Sequence, residues 1–170
     1  MGKGRVFWLD EENYNPYPRI TLQNAGYYVL YHRFIYEAFP NLEKLVRNDQ
    51  EFELVVVNPV TSMIAKESRA LYNHLRQTRF LDLPELPDSP VEHGRYIVEL
   101  LIRLLPETPI MVLSWYNENT DWGRKTLEEL RANPNIVRII EKTHINHNDI
   151  AEEVGLALAE AQARKQPATS

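Results

Sequence analysis

Apolar residues gather in five short runs along the chain: Arg5–Leu9, Tyr28–Tyr31, Phe52–Val57, Ile110–Leu113 and Ile136–Ile140. Each is rich in β-branched or aromatic side chains and nearly continuous over four to six residues. Such runs predict strands buried on both faces, the habit of parallel sheets. The third and fourth are the most uniformly apolar and are expected at the centre. The second and fifth have polar residues beside them and are expected nearer the edges.

Between the runs the apolar spacing lengthens to three or four residues. Pro18–Ala25 predicts a short helix closed by Gly26, a residue suited to the left-handed position past a helix end. Ile35–Asn48 places Ile35, Phe39, Leu42, Leu45 and Val46 at helical spacing, with Pro40 expected to sit in a first turn or break the element. Ser62–Thr78 puts Ile64, Leu71 and Leu75 on one stripe. Ser89-Pro90-Val91-Glu92 has capping-box spacing with proline at the first helical position, and leads into an apolar body at Ile97–Leu105. Thr120 is placed to cap a helix carrying Leu127 and Leu130, closed near Asn133-Pro134. Asn148–Arg164 repeats Ile150, Val154, Leu158 and Ala161. Strand and helix alternate, which predicts an α/β fold with a parallel sheet. There is one irregularity: two helical patterns lie between the third and fourth strands, kept separate by Pro84, Pro87 and Pro90.

At 170 residues the chain fits one domain, expected over 1–164, with 165–170 as a flexible tail. The absence of cysteine removes disulfides, thiolate zinc sites and thiol nucleophiles, and accords with a reducing cytoplasm. The 19 basic against 24 acidic residues give a net charge of −5, so there is no basic footprint for nucleic acid. No apolar run approaches the ~18 residues of a membrane span. Met1–Val6 carries neither a signal-peptide core nor the Ser/Thr of a myristoylation motif. A mildly acidic, soluble, cytoplasmic domain is expected.

In open parallel sheets chemistry gathers outside the carboxyl ends of the strands. The first run ends in Asp10-Glu11-Glu12, the third in Asn58-Pro59, the fourth in Ser114-Trp115 and the fifth in Lys142-Thr143. This series resembles the receiver (CheY-like) domain of two-component response regulators, over nearly the whole chain from about Arg5 to Ala163. The resemblance implies a doubly wound five-stranded parallel sheet in the order 2-1-3-4-5, flavodoxin/CheY-like, with an extra helix between strands 3 and 4. In that family an acidic pair holds Mg²⁺, an Asp after strand three accepts phosphate, and a hydroxyl and a lysine end strands four and five. Asp10 and Glu11 match the pair, Ser114 the hydroxyl and Lys142 the lysine. The acceptor position is Asn58. Thr143 stands where the family has proline, Ile139 where it has an aromatic switch residue, and two helices fill Thr61–Leu105 where it has one.

Asn58 decides the chemistry. A carboxylate can attack phosphorus and neutralise a divalent metal; a carboxamide does neither well. The resemblance therefore implies a degenerate phospho-acceptor pocket of Asp10, Glu11, Asn58, Ser114 and Lys142, with no catalytic residue. No cofactor is required, although Asp10 and Glu11 can hold Mg²⁺ weakly. The expected function is a phosphorylation-independent signalling and protein-interaction module, not an enzyme. No output domain is expected after it, so output is expected through a partner protein or from a separate chain. Pairing of two copies is expected at Thr120–Ala132, Ile136–Ile140 and Asn148–Arg164, the counterpart of a face the family often pairs. The alternative is a metal-dependent hydrolase or phosphotransfer enzyme using Asp10, Glu11 and Lys142 in the same crevice. A TIR-like domain shares the alternation, but no catalytic Glu can be placed. The plainest reading leaves the acids as solvated residues at a strand end.

Other constellations carry less. His144, His147 and Asp149 have metal-ligand chemistry, but Asn146–Asp149 reads better as turn and helix-cap residues. His32, His74 and His93 are scattered. Tyr14, Tyr17, Tyr27, Tyr28, Tyr31 and Tyr36 crowd the first quarter without basic neighbours for nucleic acid, and fit an edge cover or a protein contact. Trp115 and Trp122 flank the crevice as closing rings or partner anchors. Arg124, Lys125, Glu128 and Glu129 read as a solvated helix face. There is no Ser-His-Asp series, P-loop or Gly-rich dinucleotide turn.

Overall fold

The computed structural model describes residues 2–10, 17–48, 51–59, 66–78, 82–86, 94–114, 119–146 and 148–165. The strands are β1 (Gly4–Leu9), β2 (Tyr27–His32), β3 (Leu54–Val57), β4 (Ile110–Ser114) and β5 (Ile136–Glu141). They form one all-parallel sheet in the order β2-β1-β3-β4-β5, so the runs with polar neighbours do lie at its edges. The helices are α1 (Tyr17–Asn24), α2 (Ile35–Arg47), α3 (Lys66–Gln77), α4 (Gly94–Leu104), α5 (Asp121–Arg131) and α6 (Ile150–Lys165).

Alternation along the strands divides the core in two. Phe7, Leu9, Val55, Val57, Ile110, Val112 and Ile136 meet α2, α3, α4 and α5 on one face. Val6, Trp8, Leu54, Val56, Met111, Leu113 and Val137 meet Leu22 of α1 and Ile150, Val154, Ala157 and Ala161 of α6 on the other. Every residue of β3 is fully buried, which explains its unbroken run of apolar side chains. Gly26 takes φ of 95° after α1, a conformation that favours glycine. Thr120 caps α5, its hydroxyl accepting from the Gly123 N–H at 3.0 Å.

Two local expectations need correction. Pro40 neither starts nor breaks α2 but lies inside it. Ile35, Ala38 and Leu42, on both sides of Pro40, are fully buried against the sheet. Burying Ile35 and Leu42 contributes roughly 3–6 kcal/mol, enough to offset the ~3 kcal/mol that an interior proline costs. The buried row of α3 also differs from the predicted stripe of Ile64, Leu71 and Leu75. Ser68, Tyr72 and Leu75 are buried, so its anchor is Tyr72 rather than Leu71, which is only partly buried.

α4 carries the apolar body that lies on the sheet, with Ile97, Leu100 and Leu101 fully buried. The Tyr72 ring stands edge-on to Tyr96, centroids 6.2 Å apart, and its hydroxyl donates to the Pro84 carbonyl at 3.1 Å. Arg76 and Glu85 pair at 3.2 Å beside it. The 82–86 segment is thereby tied to α3. The expected starts of these helices at Ser62 and Pro90, the capping box at Ser89–Glu92 and the residues after Lys165 lie outside the described residues.

Candidate functional site

Strand register sets the site. Leu9 pairs with Val57, Val57 with Val112, and Val112 with Ile139, so these four form one row across the sheet. Asp10 and Asn58 lie one residue beyond that row, Ser114 two beyond and Lys142 three beyond. All four therefore come to the carboxyl edge, where the ladder ends and polar side chains replace the apolar runs. The Asn58 N–H donates to the Leu9 carbonyl at 2.9 Å, extending the β1–β3 ladder into the site. Lys142 opens a 3₁₀ turn, Lys142–His144, directly after β5.

Asp10 is the hub. Its backbone N–H donates to the His32 carbonyl at 3.1 Å, and its carbonyl accepts from the Tyr31 hydroxyl at 2.5 Å. Its Oδ1 accepts from Asn58 Nδ2 at 3.1 Å and from Lys142 Nζ at 3.0 Å, while Oδ2 lies 2.8 Å from the same ammonium. The Asp10 and Lys142 side chains are 4% and 13% exposed. Asn58 and Ser114 are fully buried. Since β3 and β4 separate β5 from β1, the lysine stem arches over their ends to close the pair.

Two members of this cluster escaped the sequence reading. Tyr31 was visible only as part of an aromatic crowd, and His32 only as a scattered histidine. Both stand at the carboxyl end of β2, the same position that marks the residues of the other four strands. Burial, with the Asp10 charge adding to it, pushes the Tyr31 hydroxyl up to about 12, so it stays a donor at neutral pH. Burial holds His32 below its ordinary value, and its Nε2 lies 3.4 Å from Asn41 Nδ2.

Other predicted site residues are placed differently. Glu11, Trp115 and His147 lie outside the described residues, as does the side chain of Trp122. His144 Nδ1 sits 3.7 Å from Glu141 Oε2, and the Asp149 N–H donates to the Asn146 carbonyl as a turn before α6. Among the described residues no three of His, Asp and Glu come together as a metal-holding group. Chemically, the crevice offers a buried ion pair, a carboxamide turned with its donor toward a carboxylate, and a hydroxyl. Asn58 has no anionic oxygen to present to phosphorus.

A five-stranded parallel sheet in the order 2-1-3-4-5 with helices on both faces is the fold that response-regulator receiver domains share with flavodoxin. Solved structures bear this out across almost the full chain. A CheY-like response regulator receiver domain protein from Methanospirillum hungatei JF-1 superposes with a TM-score of 0.57 at 16% identity, over 94% of this chain and 97% of that one. The signal receiver domain of a putative LuxO repressor protein from Vibrio parahaemolyticus gives 0.53 at 12% identity, over 95% and 94%. The BeF3-activated DrrB receiver domain gives 0.51 at 16% identity, over 94% and 99%. At these identities the likeness is one of fold. No protein-family model and no curated protein matches the sequence.

Proposed function

We propose that this chain is a receiver-fold signalling module that acts through protein contacts and without aspartyl phosphorylation. One observation carries the reading: at the end of β3, where phosphoryl transfer needs a carboxylate, Asn58 donates its amide to Asp10. Its nitrogen lone pair is tied up in resonance and its oxygen is uncharged, so it cannot attack in line at phosphorus. The hydrolase or phosphotransfer reading gains nothing from the geometry, since both Asp10 oxygens are engaged by Lys142 and Asn58.

Intact-mass measurement tests the proposal. The wild-type chain, treated with acetyl phosphate and Mg²⁺, is expected to gain no phosphoryl mass, and beryllofluoride is expected to leave its spectra unchanged. Asn58→Asp restores an attacking carboxylate and is expected to respond to at least one of the two reagents. A stoichiometric, hydroxylamine-labile adduct on the wild-type chain would overturn the reading.

Partner contacts belong to the same proposal. On the face formed by α5, β5 and α6, Arg124 pairs with Asp121, Glu129 with Arg95, and Arg138 with Glu153 and Glu160. Those charges are engaged within the chain, which leaves Lys125, Glu128 and Glu152 exposed for contact with a second copy or another protein. Light scattering across concentration reads the self-association; a monomer at the highest concentration argues for a different partner.

A further inference from the structure

We infer that the Lys142 ammonium is the resident cation of Asp10 and keeps Mg²⁺ and similar divalent ions out of the crevice. Two observations support this. First, the ammonium bridges both Asp10 oxygens, at 2.8 and 3.0 Å. A metal bound to Oδ2 at its usual ~2.1 Å would lie within about 5 Å of that ammonium, a like charge in a buried setting. Second, Asn58 turns its Nδ2 donor toward the carboxylate, so the neighbouring side chain presents hydrogens where a hard cation requires oxygens.

The lysine is well suited to the task. Its compact ammonium has three donors, and its position at the head of the turn after β5 holds it 87% out of solvent, the complement of its 13% exposure. The described residues thus do not fit the metal that the receiver fold leads one to expect. The pair neutralises itself, and the crevice needs no outside ion to balance the Asp10 charge. This deepens the reading given above under Proposed function, and it is measured separately from phosphorylation.

The test uses the full chain with Mn²⁺ as the probe, followed by the paramagnetic resonance signal of the free ion, and with Mg²⁺ as competitor. The wild-type chain is expected to show no saturable binding at millimolar Mn²⁺. Lys142→Met is expected to bind at least roughly tenfold more tightly than wild type, and adding Asp10→Asn is expected to abolish that gain. Lys142→Gln, which keeps a polar head without charge, gives the same readout should the methionine variant fail to fold. Saturable binding to the wild-type chain that disappears in Asp10→Asn overturns the inference. So do folded Lys142 variants that bind no better than wild type. Either result leaves the mass measurement on Asn58 standing, and an acyl phosphate on wild type leaves this inference standing.

Discussion

Lys142→Met removes the ammonium from a pair whose carboxylate side chain is 4% exposed. Breaking a buried pair by deleting one partner costs about 3–5 kcal/mol, because the remaining charge stays out of water. For a chain of this size each kcal/mol corresponds to ~2–4 °C, so the midpoint is expected to fall by roughly 6–20 °C. The reverse deletion is gentler. Asp10→Asn leaves a lysine at 13% exposure whose flexible stem can carry its head to solvent, and a cost of about 1–2 kcal/mol is expected. The double variant leaves no unpaired charge and is expected to be more stable than Lys142→Met alone, with a coupling of about 2 kcal/mol. Urea unfolding followed by tryptophan fluorescence measures all four proteins, with Trp8 buried in the sheet as a reporter. Additive costs, or an Asp10→Asn loss as large as that of Lys142→Met, would refute the reasoning.

Tyr72→Phe deletes the hydroxyl that donates to the Pro84 carbonyl and is expected to cost about 1 kcal/mol in urea unfolding. An unchanged midpoint would mean that this bond does not anchor α3. Thr120→Ala removes the α5 cap and is expected to cost about 1 kcal/mol, with Thr120→Ser recovering most of it in the same assay. His32 is held below its ordinary value by burial, so the unfolded chain takes up this proton first as pH falls. Its contribution is complete above about pH 6.5 and is lost below that, down through its folded value. Urea midpoints between neutral and mildly acidic pH should fall more steeply for wild type than for His32→Gln, and equal slopes would remove His32 from the account.

Much of this architecture is legible in the sequence because local chemistry and global burial agree there. Leu54–Val57 reads as a central strand since both its faces are covered, and Gly26 and Thr120 end and begin helices through their own backbone and hydroxyl chemistry. Legibility fails where tertiary packing decides. Pro40 is accepted in α2 only because its neighbours Ala38 and Leu42 are pressed against the sheet. Tyr72 anchors α3 in a row that includes Ser68, a residue that no apolar template counts. In the candidate site, strand ends bring forward Asp10, Asn58, Ser114 and Lys142 as candidates, but not that Asn58 and Lys142 both converge on Asp10. A pattern along the chain holds no information on which residues meet across 132 positions.

That separation has a consequence in time. Translation proceeds at ~5–20 residues per second, so Asp10 is made about 7–26 s before Lys142. Until β3 follows, β1, destined for the inside of the sheet, has at most β2 beside it, and its Val6-Phe7-Trp8-Leu9 run stands as an open template for a foreign strand. The carboxylate just past this run remains hydrated and repels like-charged neighbours until the lysine arrives. A charge directly after an unavoidable apolar run is the kind of residue that opposes association between strands of unfinished chains.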